Sequence, residues 1–331
     1  MASIRDVAKK ANVAACTVSR VLNGSASVAE ETRQRIEQAM KELNYIPNEL
    51  ARGMFKQRAG IVAMLVPSIR HPFFSSLADQ IEKELYQQGY KMMLCSTGDD
   101  IAREREYMKT FRSNIVDGVI MGVSNLKDEE YEAFQKPLVM LDHKVNEEIP
   151  VVVSDHRTGG ILAAQKFLEG GCRNIIHICG LDAPEVLSFQ SHRALEEILS
   201  ARGVQVKAVE IKWSNFDFDG YLELAKMILE KNPEIDGIMA ADLPAVAFLK
   251  AARQIGRKVP ETLCVVAYDG TYVVDTNLLD ITTIVQPVKE IANRSIGVLV
   301  DLLEGRPAKP AMNMLEVSLR EGNTTKSRIP S

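Results

Sequence analysis

The segment SIRDVAKKANVAACTVSRVLNGSASVAEETRQRIEQAMKELNYIPNELAR, residues 3–52, decides the architecture of the amino-terminal part of this chain. Ser3 and Asp6 form an S-x-x-D capping box at a helix start. Ile4, Val7, Ala8 and Ala11 then recur at helical spacing and mark one buried stripe. Asn12-Val13-Ala14 reads as a three-residue turn, and Ala15 to Leu22 as a second short helix stopped by Asn23-Gly24 in the left-handed region. Ser27 with Glu30 reads as another capping box, opening a third helix whose Ile36, Ala39, Met40 and Leu43 share a face. Two short helices across a tight turn, braced by a third, form a helix-turn-helix, which lays its second helix in the major groove of DNA.

Two blocks in this segment carry a resemblance. TVSRVLNG at 17–24 and YIPNELAR at 45–52 make the segment similar to the headpiece of the LacI/GalR family of bacterial transcription regulators, and the likeness continues along essentially the whole chain. The resemblance implies that residues 1–47 dock in the major groove and that 48–60 form a hinge helix and linker. Residues 61–331 would then form an effector-binding and dimerisation body of the type I periplasmic binding-protein fold.

Charge distribution agrees with a nucleic-acid partner at one pole. The chain of 331 residues carries a net charge of −4, yet residues 1–60 hold ten Lys/Arg against six Asp/Glu. The five cysteines (Cys16, Cys95, Cys172, Cys179, Cys264) are odd in number and contain no C-x-x-C pair. They indicate neither a disulfide framework nor a zinc site, and they suit a reducing cytoplasm. The helix-turn-helix occupies the place of a signal peptide, and no apolar run is long enough to span a bilayer, so the expectation is a cytoplasmic protein without membrane contact.

Beyond Gly60 the pattern changes to apolar runs alternating with amphipathic stretches. IVAMLVP (61–67), KMMLCS (91–96), GVIMGV (118–123), PLVMLD (137–142), VVVSD (151–155) and IIHICG (175–180) read as strands. VKAVEIKW (206–213), DGIMAAD (236–242), CVVAYDG (264–270) and ITTIVQ (281–286) continue the series, with helices between them. Continuous apolar strands alternating with helices require parallel sheets covered on both faces, an α/β class. Ten strands are too many for one small sheet, so two Rossmann-like lobes are expected. The family's pattern would place 61–155 with 285–313 in one lobe and 156–284 with 314–331 in the other.

A doubly wound body invites an enzyme reading, but G-x-G-x-x-G after a strand, G-x-x-x-x-G-K-[ST], H-E-x-x-H and G-x-S-x-G are all missing, and the five histidines are scattered along the sequence. No catalytic group, cofactor or metal is expected. Ligands of open α/β sheets bind beyond the carboxyl ends of the strands. That rule selects Ser68, His71 and Phe73 after the first strand, and Asp142, Asp242 and Asp269 at three strand ends, with Trp213 and Phe216 as aromatic platforms. Each strand-end aspartate can instead cap the helix that follows it. In the family's pattern His71 replaces an Asn, Ser191 stands at an Arg position with Arg193 displaced, and Ala241-Asp242 replaces Asn-Asp. The expected effector is a sugar or sugar derivative. A global regulator taking a phosphoprotein corepressor is one alternative. A solute receptor is another, although it would lack the headpiece.

On the DNA side, Ala15 and Cys16 open the recognition helix toward base edges, and Arg20 is the candidate for a bidentate contact to guanine. Thr17, Ser19, Asn23 and Thr32 are assigned to phosphates, and Ser3 is counted among the DNA-binding residues. The family usually wedges a Leu into the minor groove where Met54 stands, and Asn48 can cap the short hinge helix after Pro47. The carboxyl end carries no leucine heptads, so a homodimer on a near-palindromic operator is expected rather than a tetramer. Gly53 lowers the hinge helix's own stability by about 1 kcal/mol relative to Ala. Amides 49–56 are therefore expected to exchange rapidly in free protein and slowly with operator; protection without DNA would reject a DNA-dependent hinge.

Overall fold

The computed structural model describes residues 2–22, 28–46, 58–98, 100–113, 115–123, 126–180, 186–211, 217–276, 279–308 and 311–326. It divides into two compact units, Met1–Gly60 and Ile61–Ser331. Asn23, Asn48, Met54, Trp213 and Phe216 lie outside the described residues, as does the expected hinge helix.

In the first unit, α1 (Ile4–Ala11) starts on the predicted box: Ser3 Oγ accepts from the Asp6 amide, and the Asp6 carboxylate accepts from the Ser3 amide at 2.8 Å. Asn12 adopts a left-handed φ of 53° and turns the chain into α2 (Ala15–Leu22). The third helix, α3 (Glu30–Glu42), has Ala29 as its N-cap, with no side-chain capping bond; Ser27, of the expected capping box, lies outside the described residues. Val7, Ala8, Ala11, Val18, Val21, Ile36 and Ala39 form the buried core.

The second unit holds two six-stranded sheets. In the first, β1 (Ile61–Val66), β2 (Lys91–Ser96), β3 (Gly118–Met121), β4 (Leu138–Leu141), β5 (Val151–Ser154) and β11 (Met312–Leu315) run in the order β11-β5-β4-β3-β1-β2. In the second, β6 (Asn174–Cys179), β7 (Gln205–Glu210), β8 (Gly237–Ala241), β9 (Cys264–Asp269), β10 (Thr283–Val285) and β12 (Ser318–Arg320) run β12-β10-β9-β8-β6-β7. Every pairing is parallel except β10 with β12. The residues dictate this: β1, β3, β4, β5, β8 and β9 are apolar except where β5 ends in Ser154 and β9 in Tyr268-Asp269, and are buried on both faces, as a helix-covered parallel sheet demands.

The chain passes between the sheets three times: from β5 into α7 (His156–Glu169), from β10 into α12 (Val288–Leu303), and from β11 to β12. Ile291, Ala292, Ile296 and Leu299 of α12 complete the first lobe's core beside Leu77 and Ile81 of α4 (Pro72–Gln87). These pairings correct the expected lobe boundaries. Val285 belongs to β10 in the second sheet, and a boundary after 313 would cut β11, whose Met314 and Leu315 pair with Val153 and Ser154. The short edge strands β11 and β12 are not legible in the sequence, because Asn313 interrupts the apolar residues of β11 and Ser318 and Arg320 flank the single leucine of β12.

Ile36 is fully buried under both helices of the helix-turn-helix. Ile36→Ala is expected to cost about 2–5 kcal/mol, more than so small a core can spare. Calorimetry should show the unfolding transition of the 61–331 unit unmoved while DNA binding is lost; a shift of that transition would contradict two independent cores.

Candidate functional site

The first unit presents α2. Val18 and Val21 point into the core, which leaves Cys16 and Arg20 exposed and Ala15, Thr17 and Ser19 half-buried. Helical periodicity alone thus turns Cys16 and Arg20 outward, whereas Ala15, also expected to face base edges, packs against the core. Ser3 is engaged in capping α1, so its hydroxyl has a structural task, and Thr32 Oγ1 accepts from Arg35 at 3.5 Å.

In the second unit, both sheets reverse strand order beside their first strand, between β1 and β3 and between β6 and β8. Ligand crevices open at such switch points, outside the carboxyl ends of the strands. A cavity of about 630 Å³ lies there between the lobes. His71, Phe73 and Asp142 from the first lobe and Ser191 and Asp269 from the second all line it.

Three candidates do not. Ser68 is outside the lining, and its Oγ accepts from the Arg70 amide. Arg193 is exposed, with its guanidinium 5.5 Å from the centre of the Phe189 ring. Asp242 is 1 % exposed and turned away from the cavity. It does not cap its own helix, α10 (Asp242–Gln254), whose N-cap is Ala241. Its carboxylate instead accepts from the Thr271 amide at 2.6 Å, Thr271 Oγ1 at 2.7 Å and the Gly270 amide at 3.3 Å. Asp242 thereby holds the turn that follows Asp269.

Asp142 and Asp269 end the fourth strand of their respective lobes, and both have positive φ, 64° and 108°. Two chains of polar groups run between the lobes beside them. Ser154 Oγ donates to Gln286 Oε1 at 2.8 Å, and Gln286 Nε2 donates to Asp269 Oδ1 at 2.8 Å. In the other chain, His156 Nδ1 pairs with Tyr268 Oη at 2.8 Å, and its Nε2 stands 3.3 Å from Asp142 Oδ1. That aspartate oxygen is buried and makes no hydrogen bond. Gly159 permits the arrangement, since a Cβ there would stand 2.5 Å from Tyr268 Oη.

The histidines are scattered only in sequence. His71, His156 and His192 line the cavity, His177 Nδ1 meets His192 Nδ1 at 3.0 Å, and His143 adjoins Asp142. Burial pushes His71 down to about 4; burial, then the neighbouring His177 and His156, push His192 down to about 3. Burial also drives Asp269 well above the usual carboxylate range, reinforced by the charge of Asp242. Gln286, Tyr268 and His156 escaped the sequence reading, although Gln286 ends an apolar run just as Asp142 does.

A helix-turn-helix preceding two doubly wound lobes that enclose a cavity is the build of a DNA-binding regulator. Residues 3–48 match the model of the bacterial regulatory proteins of the LacI family, and residues 164–325 match that of the periplasmic binding protein-like domain. The chain is 35% identical to a ribose operon repressor of Halalkalibacterium halodurans, over 98% of both chains. A LacI transcriptional regulator of Alkaliphilus metalliredigens complexed with D-xylulofuranose matches with a TM-score of 0.73 at 26% identity, over 81% of this chain and all of the other. A lac repressor dimer bound to operator has a TM-score of 0.84 at 23% identity over 98% of each chain, which shows the shared fold. The chain belongs to the LacI family of bacterial regulatory proteins and is a DNA-binding transcription regulator.

Burial raises the Asp242 carboxyl to about 6 from the ordinary 3.8, outweighing the hydrogen bonds from Thr271, Gly270 and Thr283. Between those values the folded chain retains a proton that the unfolded chain has released, so stability falls as pH rises through the window. Asp269, also raised by burial, adds slope of the same sign. Asp242→Asn should flatten the fall between about pH 4 and 6 in denaturant midpoints; an unchanged slope would place the titration elsewhere.

Proposed function

We propose that this protein is a homodimeric repressor of carbohydrate-utilisation genes, acting in the cytoplasm, whose grip on DNA is set by a small molecule held between the lobes of its body. The observation that carries the reading is the interlobe cavity in a chain that also presents Arg20 on an exposed recognition helix. The ribose operon repressor and the xylulofuranose complex support a carbohydrate context. Ser154, Gln286, His156 and Tyr268 supply the coupling, because a ligand that changes lobe closure must stretch or shorten these interlobe hydrogen bonds. Nothing in this role requires turnover. The chain binds and changes shape.

Two headpieces related by a two-fold axis read half-sites about one helical turn apart. Operator selection from random DNA should therefore return a near-palindrome. Arg20→Ala should cost about 1–3 kcal/mol on that site and relax discrimination at one guanine in each half. An equal loss on operator and random DNA would assign Arg20 to phosphate instead.

A further inference from the structure

Two of the five cysteines, far apart in the sequence, are neighbours in space. Cys172, in the turn between α7 and β6, and Cys264, the first residue of β9, are both buried. One carbonyl gathers them: Asp236 O accepts from the Cys264 amide at 2.8 Å and from Cys172 Sγ at 3.4 Å. Gly170 leaves room for both sulfurs, since a Cβ there would stand 3.2 Å from Cys264 Sγ and 3.6 Å from Cys172 Sγ. The two thiols touch, and Cys264 Sγ accepts from Cys172 and from the Lys326 amide. When protonated, Cys264 points its own S–H at the Pro260 carbonyl, 3.8 Å away.

This contact makes the two sulfurs unequal. The hydrogen bond from Cys172, with the amide and the charge of Lys326, holds the Cys264 thiol down at about 7, against burial and the charge of Asp236. The same contact, with burial, pushes the Cys172 thiol far up, so its proton stays. One sulfur is thus a nucleophile, and its neighbour stands ready to attack the oxidised product. The pair is shallow: Gly171 and Arg173 on either side of Cys172 are exposed, as is Lys326 beside Cys264.

We propose that Cys264 and Cys172 are a modification site for hydroperoxides, at which oxidation joins the two sulfurs and ties the far end of α7 to the start of β9. The Cys264 thiolate attacks a peroxide oxygen, the O–O bond breaks, and the departing hydroxide or alkoxide takes up a proton. Cys172 then attacks Cys264 Sγ, the S–O bond breaks, and the hydroxyl leaves as water with the Cys172 proton. Two thiols lose two electrons and two protons, and hydrogen peroxide becomes two waters. The tether matters because α7 and β9 are already joined at their other ends: His156, which opens α7, pairs with Tyr268 of β9 at 2.8 Å beside the cavity. Drawing the sulfurs from contact to a bond of about 2.05 Å fastens the two elements at both ends.

The reduced full-length protein, treated with hydrogen peroxide, alkylated and digested, should yield a Cys172–Cys264 cross-link in peptide mass mapping, and dithiothreitol should remove it. The rate of cross-linking should climb through about pH 7, where Cys264 ionises beside Lys326 and Asp236. Joining positions so distant in sequence should raise the unfolding midpoint of the 61–331 unit by about 5 °C or more. Cys172→Ala should stop the reaction at a sulfenic acid on Cys264, captured by dimedone, whereas Cys264→Ala should leave Cys172 a thiol. Peroxide that oxidises the exposed Cys16 yet leaves Cys172 and Cys264 as thiols would overturn the proposal, and that result needs no substituted protein. Equal oxidation of Cys172 in Cys264→Ala would overturn the choice of attacking sulfur. A cross-link that leaves the midpoint unmoved would overturn the tether.

Discussion

A parallel strand cannot turn back on itself; the chain must return across the sheet by a helix before the next strand begins. Every other feature of the body follows from this constraint. It sends the strand ends of each lobe to one side, buries both faces of the central strands, and makes one rim of each sheet the place where loops and polar side chains collect. Two such lobes with their rims facing produce a cavity walled by strand ends. His71, Phe73 and Asp142 from one rim meet Ser191, Tyr268 and Asp269 from the other because their strands have nowhere else to finish.

Burial then assigns the polar groups their tasks. Asp242, directed under the next turn, becomes a backbone anchor with three hydrogen bonds from residues 270 and 271. Asp269, one strand over, shares its proton balance with that charge and accepts from Gln286, which in turn accepts from Ser154 across the lobe boundary. Asp142, at the matching strand end of the other lobe, keeps an oxygen without a hydrogen bond. Three carboxyls that each close an apolar run thus end in three different environments. The difference lies in which packed element each one faces.

This explains how much the sequence disclosed. Local rules sufficed for the headpiece: the capping box on Ser3, the turn at Asn12 and the apolar stripes all involve residues a few positions apart, and α2 spans the expected Ala15–Leu22. The strand-end rule located His71, Phe73, Asp142 and Asp269 on the cavity wall, since topology fixes the rim. It could not say which way a side chain turns once there, so it also selected Ser68 and Asp242, which face elsewhere. It passed over Tyr268, His156 and Gln286, whose role depends on pairings 112 and 132 residues apart in the chain. The histidines looked scattered for the same reason.

The three passages between lobes bear on the order in which the molecule can be made. The first lobe's sheet ends on β11, and its core is closed by α12, yet both are contributed by residues 288–315, long after β5 has emerged. During synthesis, the apolar faces of β1, β3 and α4 must therefore wait, uncovered, until all of the second lobe but its last strand has been made. Only then can Ile291, Ala292, Ile296 and Leu299 dock on Leu77 and Ile81. Contacts this distant along the chain are slow to form, and a half-made lobe is open to association with others of its kind. Truncation anywhere before residue 288 removes the seal of the part made first.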